Sequence, residues 1–304
     1  MVERLEGTLL SLRGGVYRVF TDAGSIEASL RGKLKQEGHA QLVVGDIVRL
    51  QVQQDGSYTV EGRLERRNVL RRRTPGRTKG VRMIASNIDQ ILVVASVQRP
   101  EWDHQLTDRF LAVSEANHIP PVLVINKADL DADADSLSVP YRRAGYQVLV
   151  TSIKTGQGVL ELRSLVERRT SLFTGSTGVG KSSLVNAIEP ELAVRIGEIS
   201  EKAQVGRHTT VSAEMYPLSV GGFVVDTPGL RDVGLWALDP TEVVAAFPDF
   251  SEYAAHCRFD DCRHLQEPDC AVIAACEKGE IAETRLSSYR KFLEEARQAS
   301  RHWE

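Results

Sequence analysis

The feature that most constrains this chain is the order in which two short fragments occur. The fragment "GSTGVGKSS", Gly175–Ser183, fits G-x-x-x-x-G-K-[ST], follows the apolar "SLFT" and opens onto the helical "LVNAI". Glycines there let the backbone wrap closely, so that successive N–H groups and a helix N-terminus converge on a phosphate. The fragment "NKAD", Asn126–Asp129, ends the apolar run "PPVLVI" and lies upstream. A carboxylate at the end of a buried strand accepts paired hydrogen bonds from guanine N1–H and the exocyclic amine, a pair that adenine lacks. The two fragments together specify a guanine nucleotide and disfavour a P-loop kinase or an ATPase. In the usual order of such chains the phosphate loop comes first. Here it comes second.

Three more fragments extend the pattern. "TSIKTGQG", Thr151–Gly158, follows "NKAD" and places Ser152 and Lys154 where they support the base. "GRHTT", Gly206–Thr210, and "DTPG", Asp226–Gly229, follow the phosphate loop. The whole order is that of a circular permutation: one sheet, entered at a strand that normally comes late. Such a rearrangement is tolerated because the termini of compact domains lie close together at the surface. "DQILVVASV" and "PPVLVIN" are continuous apolar runs, as expected of parallel strands buried on both faces, and "YQVLVTSI" and "GGFVVD" continue the strand–helix alternation. Between the first two, Leu106, Phe110 and Val113 recur at helical spacing. The alternation predicts a doubly wound α/β domain.

Within that domain each motif residue has an expected task. Gly175, Ser176, Thr177, Gly178, Val179, Gly180 and Ser183 complete the phosphate cradle, Lys181 bridges the β and γ oxygens, and Ser182 ligates Mg²⁺. Asn126 holds both guanine and the loop, the Lys127 stem packs along the base, and Asp129, after Ala128, reads it. Asp226 holds Mg²⁺ through water, and the Gly229 N–H senses the γ-phosphate. Either Thr209 or Thr210 closes over the metal; spacing does not choose between them. Many GTPases carry a water-orienting glutamine just after the glycine of the third motif, where this chain has Leu230, and an aliphatic side chain cannot polarise water. His208 is the best internal replacement, and Arg207 beside it could stabilise transition-state charge.

The flanks differ in character. Residues 1–62 alternate apolar and polar residues between glycine turns: Val48, Leu50 and Val52 are expected to face inward, and Asp55-Gly56 to turn a hairpin. Several short strands in some 60 residues suit a small OB-like barrel. Residues 1–82 carry 16 Lys/Arg against 9 Asp/Glu, and the excess concentrates in Arg63–Arg82, with nine cations and one acid. Clustered cations of that kind suit a polyanion. Residues 239–304 carry 8 Lys/Arg against 14 Asp/Glu and hold all four cysteines. Three thiolates and one imidazole, Cys257-x4-Cys262-x-His264-x5-Cys270, can close a tetrahedral structural zinc site, which should supply folding energy to a region too small for its own core. Cys276 follows the apolar "AVIAA" and reads as a buried free thiol; His256 is less well placed than His264. No apolar run approaches a membrane span, the first residues do not read as a signal, and the expected compartment is the cytoplasm.

The expected organisation is therefore a barrel over 1–66, a basic linker over 67–83, a permuted GTPase domain over 84–236 and a mainly helical zinc domain over 237–304. Motif order and zinc spacing across essentially the whole chain closely resemble the bacterial ribosome small-subunit-dependent GTPase A family. The resemblance implies a late assembly factor of the 30S subunit that contacts 16S rRNA and hydrolyses GTP to GDP when the subunit stimulates it; nothing in the sequence demands a dimer, and the expected state is a monomer. It also implies a catalytic role for the histidine matching His208. A rival reading is a GTP-dependent RNA-binding switch whose catalysis is incidental. A permuted GTPase of the large subunit is disfavoured by the barrel-plus-zinc arrangement.

Overall fold

The computed structural model describes residues 4–30, 42–73, 81–192, 213–227 and 238–301. Five strands, β1 (Arg4–Arg13), β2 (Val16–Thr21), β3 (Gly24–Leu30), β4 (Ile47–Val52) and β5 (Tyr58–Arg63), close a barrel in the order β1-β2-β3-β5-β4. That is the connectivity of an OB-type barrel, antiparallel except where β3 meets β5. Val48 and Leu50 point inward and are fully buried, as expected, but Val52 is 37% exposed. It ends β4 at the hairpin, where the barrel wall no longer covers it. The turn itself is held by the Asp55 carboxylate, which accepts from the Ser57 N–H at 2.9 Å.

Residues of the expected linker do not hang free. β6 (Val69–Arg73) and β7 (Val81–Ser86) pair as a two-stranded antiparallel ribbon, and Leu70 and Ala85 are buried in the core of the central domain. Two of the basic residues are used internally. Arg66 makes a bidentate pair with the fully buried Asp46 (2.6 and 2.8 Å), and Arg67 pairs with Asp89 at 2.7 Å. Asp46 also accepts from the Ser86 hydroxyl and the Val43 N–H, so one carboxylate ties the barrel to the ribbon. A buried charge with all its lone pairs engaged is retained where it fixes a junction.

The central sheet has the order β10-β9-β8-β11-β13-β12, where β8 is Gln90–Ser96, β9 Pro121–Asn126, β10 Gln147–Val150, β11 Arg169–Thr174, β12 Glu214–Pro217 and β13 Gly222–Asp226. All pairings are parallel except β12 with β13. Every residue of β8 is buried, because Ile91, Val93 and Ala95 enter one core while Leu92 and Val94 enter the other. On the first face lies α1 (His104–Ala116), capped by Asp103, whose carboxylate accepts from the Leu106 N–H. On the second lie α3 (Val159–Val166) and α4 (Lys181–Ile188), which bury Leu162, Val166, Leu184, Val185 and Ile188. The short α2 (Val139–Arg143) precedes β10 and buries Tyr141. Each fully buried aliphatic side chain contributes roughly 1.5–3 kcal/mol to such cores.

The C-terminal helices α5 (Pro240–Ala245), α6 (Pro248–Ala254), α7 (Ala271–Glu277) and α8 (Glu283–Arg301) enclose an apolar cluster built on Phe247, Phe250, Tyr289, Phe292 and Leu293. The region therefore has a core of its own, contrary to the expectation from its length, and the cysteines sit at its rim. Ala112 of α1 belongs to the same cluster. Beside it Arg285, 1% exposed, donates to Asp108 of α1 at 2.8 Å and to Asp249 of α6 at 2.7 Å. α8 is thereby clasped to the nucleotide domain. Among the described residues no helix is long and apolar enough to cross a membrane.

Candidate nucleotide site and metal centre

The C-terminal ends of β9 and β11, separated in the sheet by β8, deliver the two decisive motifs to one place. Asn126 ends β9 and is 2% exposed; its Nδ2 donates to the Val179 carbonyl inside the phosphate loop at 2.9 Å. Its Oδ1 accepts from the Thr151 hydroxyl at 3.1 Å. The amide is thus oriented by the strand carrying the support box and spends its donor on the loop. Gly180 leaves room for it: a Cβ there would stand 2.3 Å from Asn126 Nδ2, and the backbone φ of +100° disfavours any side chain. At Gly175 a Cβ would stand 2.0 Å from the Val94 carbonyl.

Lys127 takes a left-handed backbone, φ 62°, and its Nζ reaches back to the Gly178 carbonyl at 2.6 Å and to the Arg99 carbonyl. Asp129 receives the Ser152 hydroxyl on Oδ1 at 2.6 Å, and Lys154 Nζ lies 3.7 Å from Oδ2. The Ser152 hydrogen bond holds the Asp129 carboxyl below the ordinary range, so the group stays an ionised double acceptor. Lys181 donates to the Gly175 and Ser176 carbonyls at 2.8 and 2.7 Å, which folds its ammonium over the loop. Lys181, Ser182, Asp226 and Thr227 line one pocket with Thr174 and Gly175. A hydroxyl and a carboxylate at the mouth of a phosphate loop form a hard-oxygen donor set that fits Mg²⁺. The Thr227 hydroxyl in the same pocket is buried and has no partner among the described residues.

Ser176, Thr177, Val179, Ser183 and Ala128 fall on the expected loops and helix start. Arg207, His208, Thr209, Thr210, Gly229 and Leu230 lie outside the described residues. Three participants were not foreseen. Thr151 sits within a quoted fragment, but nothing in its type announces that it orients Asn126. Thr227 is the unassigned second residue of "DTPG". The Arg99 carbonyl, as backbone, leaves no trace in side-chain chemistry.

In the C-terminal region Cys257, Cys262, His264 and Cys270 bring one ligand atom each to within 4.8 Å of one another. Cys257 Sγ lies 3.9 Å from Cys270 Sγ, and His264 Nδ1 lies 3.6 and 3.4 Å from those two sulfurs. A tetrahedral zinc with ordinary bond lengths sets edges of about 3.8 Å between sulfurs and about 3.5 Å from sulfur to nitrogen. The donor set fits. Cys276 is half-buried and His256 exposed, and both lie outside the cluster. α8 supports the loop: Tyr289 donates to the Arg263 carbonyl at 3.0 Å, and Arg290 to that of Leu265 at 2.7 Å.

Comparison with known proteins decides the family. The family model described as RsgA GTPase matches residues 63–236, and that of the RsgA N-terminal domain matches residues 6–60. The chain belongs to the RsgA GTPase family. It is a GTPase. Family relatives include the small ribosomal subunit biogenesis GTPase RsgA of Gemmatimonas aurantiaca, 43% identical over 97% of this chain and 98% of that protein. The protein of the same name from Caldanaerobacter subterraneus is 38% identical over 98% and 97%. Among solved structures, YjeQ from Thermotoga maritima matches with a TM-score of 0.78 at 34% identity, covering 97% of this chain and 99% of that one. YloQ, described as a circularly permuted GTPase, matches with a TM-score of 0.77 at 30% identity, covering 97% and 96%. The permuted order of motifs is thus a property shared within the family.

Proposed function

We propose that this chain hydrolyses GTP to GDP and phosphate as a maturation factor of the small ribosomal subunit, binding rRNA and turning over fastest when the 30S subunit is present. The observation that carries the nucleotide half is the bond from Asn126 to the Val179 carbonyl, which joins the guanine-reading box to the phosphate loop across β8. The ribosomal half is supported by the names of full-length relatives and by the basic run Arg63–Arg82, of which Arg71 and Arg82 are exposed.

In this reading Asp129 accepts from guanine N1–H and the exocyclic amine, held in place by Ser152 and Lys154. The loop amides of Gly175–Ser183 and the α4 N-terminus surround the phosphates, and Lys181 exchanges its loop carbonyls for β and γ oxygens. Ser182 and Asp226 hold Mg²⁺, which supplies charge neutralisation on the phosphates. Gly229 reports the γ-phosphate, Thr209 or Thr210 closes over the site, and His208 orients the attacking water in place of the missing glutamine. Zinc on Cys257, Cys262, His264 and Cys270 is structural. The chain acts as a monomer in the cytoplasm.

Phosphate release measured alone, with purified 30S and with purified 50S subunits tests this. Strong stimulation by 30S only is expected; equal rates in all three would contradict the ribosomal half. His208→Ala should lower the stimulated rate at unchanged GTP affinity.

A further inference from the structure

Outside the pocket, a charged contact joins the N-terminal barrel to the nucleotide domain. Arg13, the last residue of β1, pairs through its guanidinium with Oε1 of Glu214, the first residue of β12. The other carboxylate oxygen of Glu214, Oε2, accepts from the Tyr216 hydroxyl at 2.7 Å. The Arg13 side chain is 62% exposed while that of Glu214 is only 13% exposed. Around this contact the barrel is seated by Phe20, whose ring meets Phe223 edge-on at 5.5 Å.

The register of the edge strand gives the contact its significance. In the antiparallel ladder of β12 and β13, Glu214 stands directly opposite Asp226. Directly opposed residues project to the same face with Cβ atoms about 4.5–5.5 Å apart, and like charges so placed repel. A second carboxylate thus faces the one that lines the phosphate pocket. Burial and the Glu214 carboxylate both push the Tyr216 hydroxyl to a high pKa, so Tyr216 stays a neutral donor and cancels no charge. Among the described residues, Arg13 is the cation paired with Glu214.

We infer that Arg13 of the barrel is a positioning residue for the metal end of the nucleotide site: by neutralising Glu214 it sets the charge that Asp226 and its cation experience. The inference rests on the reading of Asp226 as the Mg²⁺-side carboxylate. Without Arg13, Glu214 adds a nearly full negative charge beside that site, and a divalent cation is held more tightly. Without Glu214, Arg13 has nothing to neutralise.

The test is a Mg²⁺ titration of fluorescent GDP binding to the full chain, at low ionic strength, with Tm recorded for every variant. Arg13→Gln should lower the half-saturating Mg²⁺ concentration on the order of three- to tenfold, as expected for one unit charge at this range in a partly aqueous medium. Arg13→Lys should keep the wild-type midpoint. Glu214→Gln should make a further change at Arg13 silent, so that the two substitutions are non-additive. A merely structural role for Arg13 would lower Tm and leave the midpoint in place, and that result would overturn the inference, as would additive shifts. Asp226→Asn separates the two levels. If it raises the midpoint steeply while Arg13→Gln moves nothing, only the Arg13 inference fails. If Asp226→Asn leaves the midpoint unmoved, the reading beneath it fails as well.

Discussion

Asn126 Nδ2 donates to the Val179 carbonyl at 2.9 Å, joining residues 53 positions apart in the chain across an intervening strand. This bond makes a single pocket out of two motifs whose order is reversed. Asn126→Ala leaves the Val179 carbonyl and the Thr151 hydroxyl without their buried partner. GDP affinity should fall by about 1.4–3 kcal/mol, or on the order of ten- to a hundredfold, when measured by calorimetry. Gly180→Ala should do at least as much damage, because its Cβ would meet Asn126 Nδ2 at 2.3 Å.

Asp129→Asn replaces a double acceptor with a group that offers one donor and one acceptor. Xanthine, which carries a carbonyl where guanine carries its amine, becomes the matching base. Competition experiments should show the variant preferring xanthosine diphosphate over GDP, with Ser152 still donating to the new side chain. Unchanged preference for GDP would remove Asp129 from the base site.

Chelation should release one zinc per chain and lower the Tm of the C-terminal region, read by circular dichroism alongside a colorimetric metal assay. Cys270→Ser should lose the metal. Cys276→Ser should keep it, since Cys276 lies outside the ligand cluster. Because Phe247, Phe250, Tyr289 and Phe292 form a core, partial helix should survive metal loss rather than collapse completely.

Arg285→Met should destabilise the chain by about 3–5 kcal/mol in urea, since it strands Asp108 and Asp249 in the interior. Burial already pushes the Asp108 carboxyl above its ordinary range, against the pull of Arg285, so removal of the guanidinium favours protonation of Asp108. The penalty should therefore shrink as pH falls. A flat pH dependence would mean that Asp108 stays charged in the variant.

The basic run divides into two kinds of arginine. Arg66→Ala should cost stability, through the bidentate pair with Asp46, while changing RNA affinity little. Arg71→Ala and Arg82→Ala should leave Tm near wild type, weaken binding to rRNA fragments and reduce the salt slope by about one for each lost phosphate contact. Fluorescence anisotropy across a salt series distinguishes them.

Much of this was legible because short motifs state their chemistry locally. The spacing of Cys257, Cys262, His264 and Cys270 anticipated their convergence, and the apolar runs around Ile91–Ala95 and Val122–Ile125 anticipated strands buried on both faces. What stayed hidden depends on pairs distant in sequence. Arg285 sits in "ETRLSSY", which reads as an ordinary charged helix, and its partner Asp108 is 177 residues away. Leu70 stands beside three consecutive arginines, so the run reads as a linker, whereas ribbon pairing places Leu70 in the core. Arg13 and Glu214, 201 residues apart, carry no local signal at all.

The most direct test of the central claim is calorimetric titration of the full chain with GDP and with ADP at equal Mg²⁺. A pocket in which Asp129 and the Gly175–Ser183 loop share one ligand should bind one GDP and discriminate against ADP on the order of a thousandfold or more, because adenine offers the Asp129 carboxylate no pair of donors. ADP binding within tenfold of GDP would contradict it.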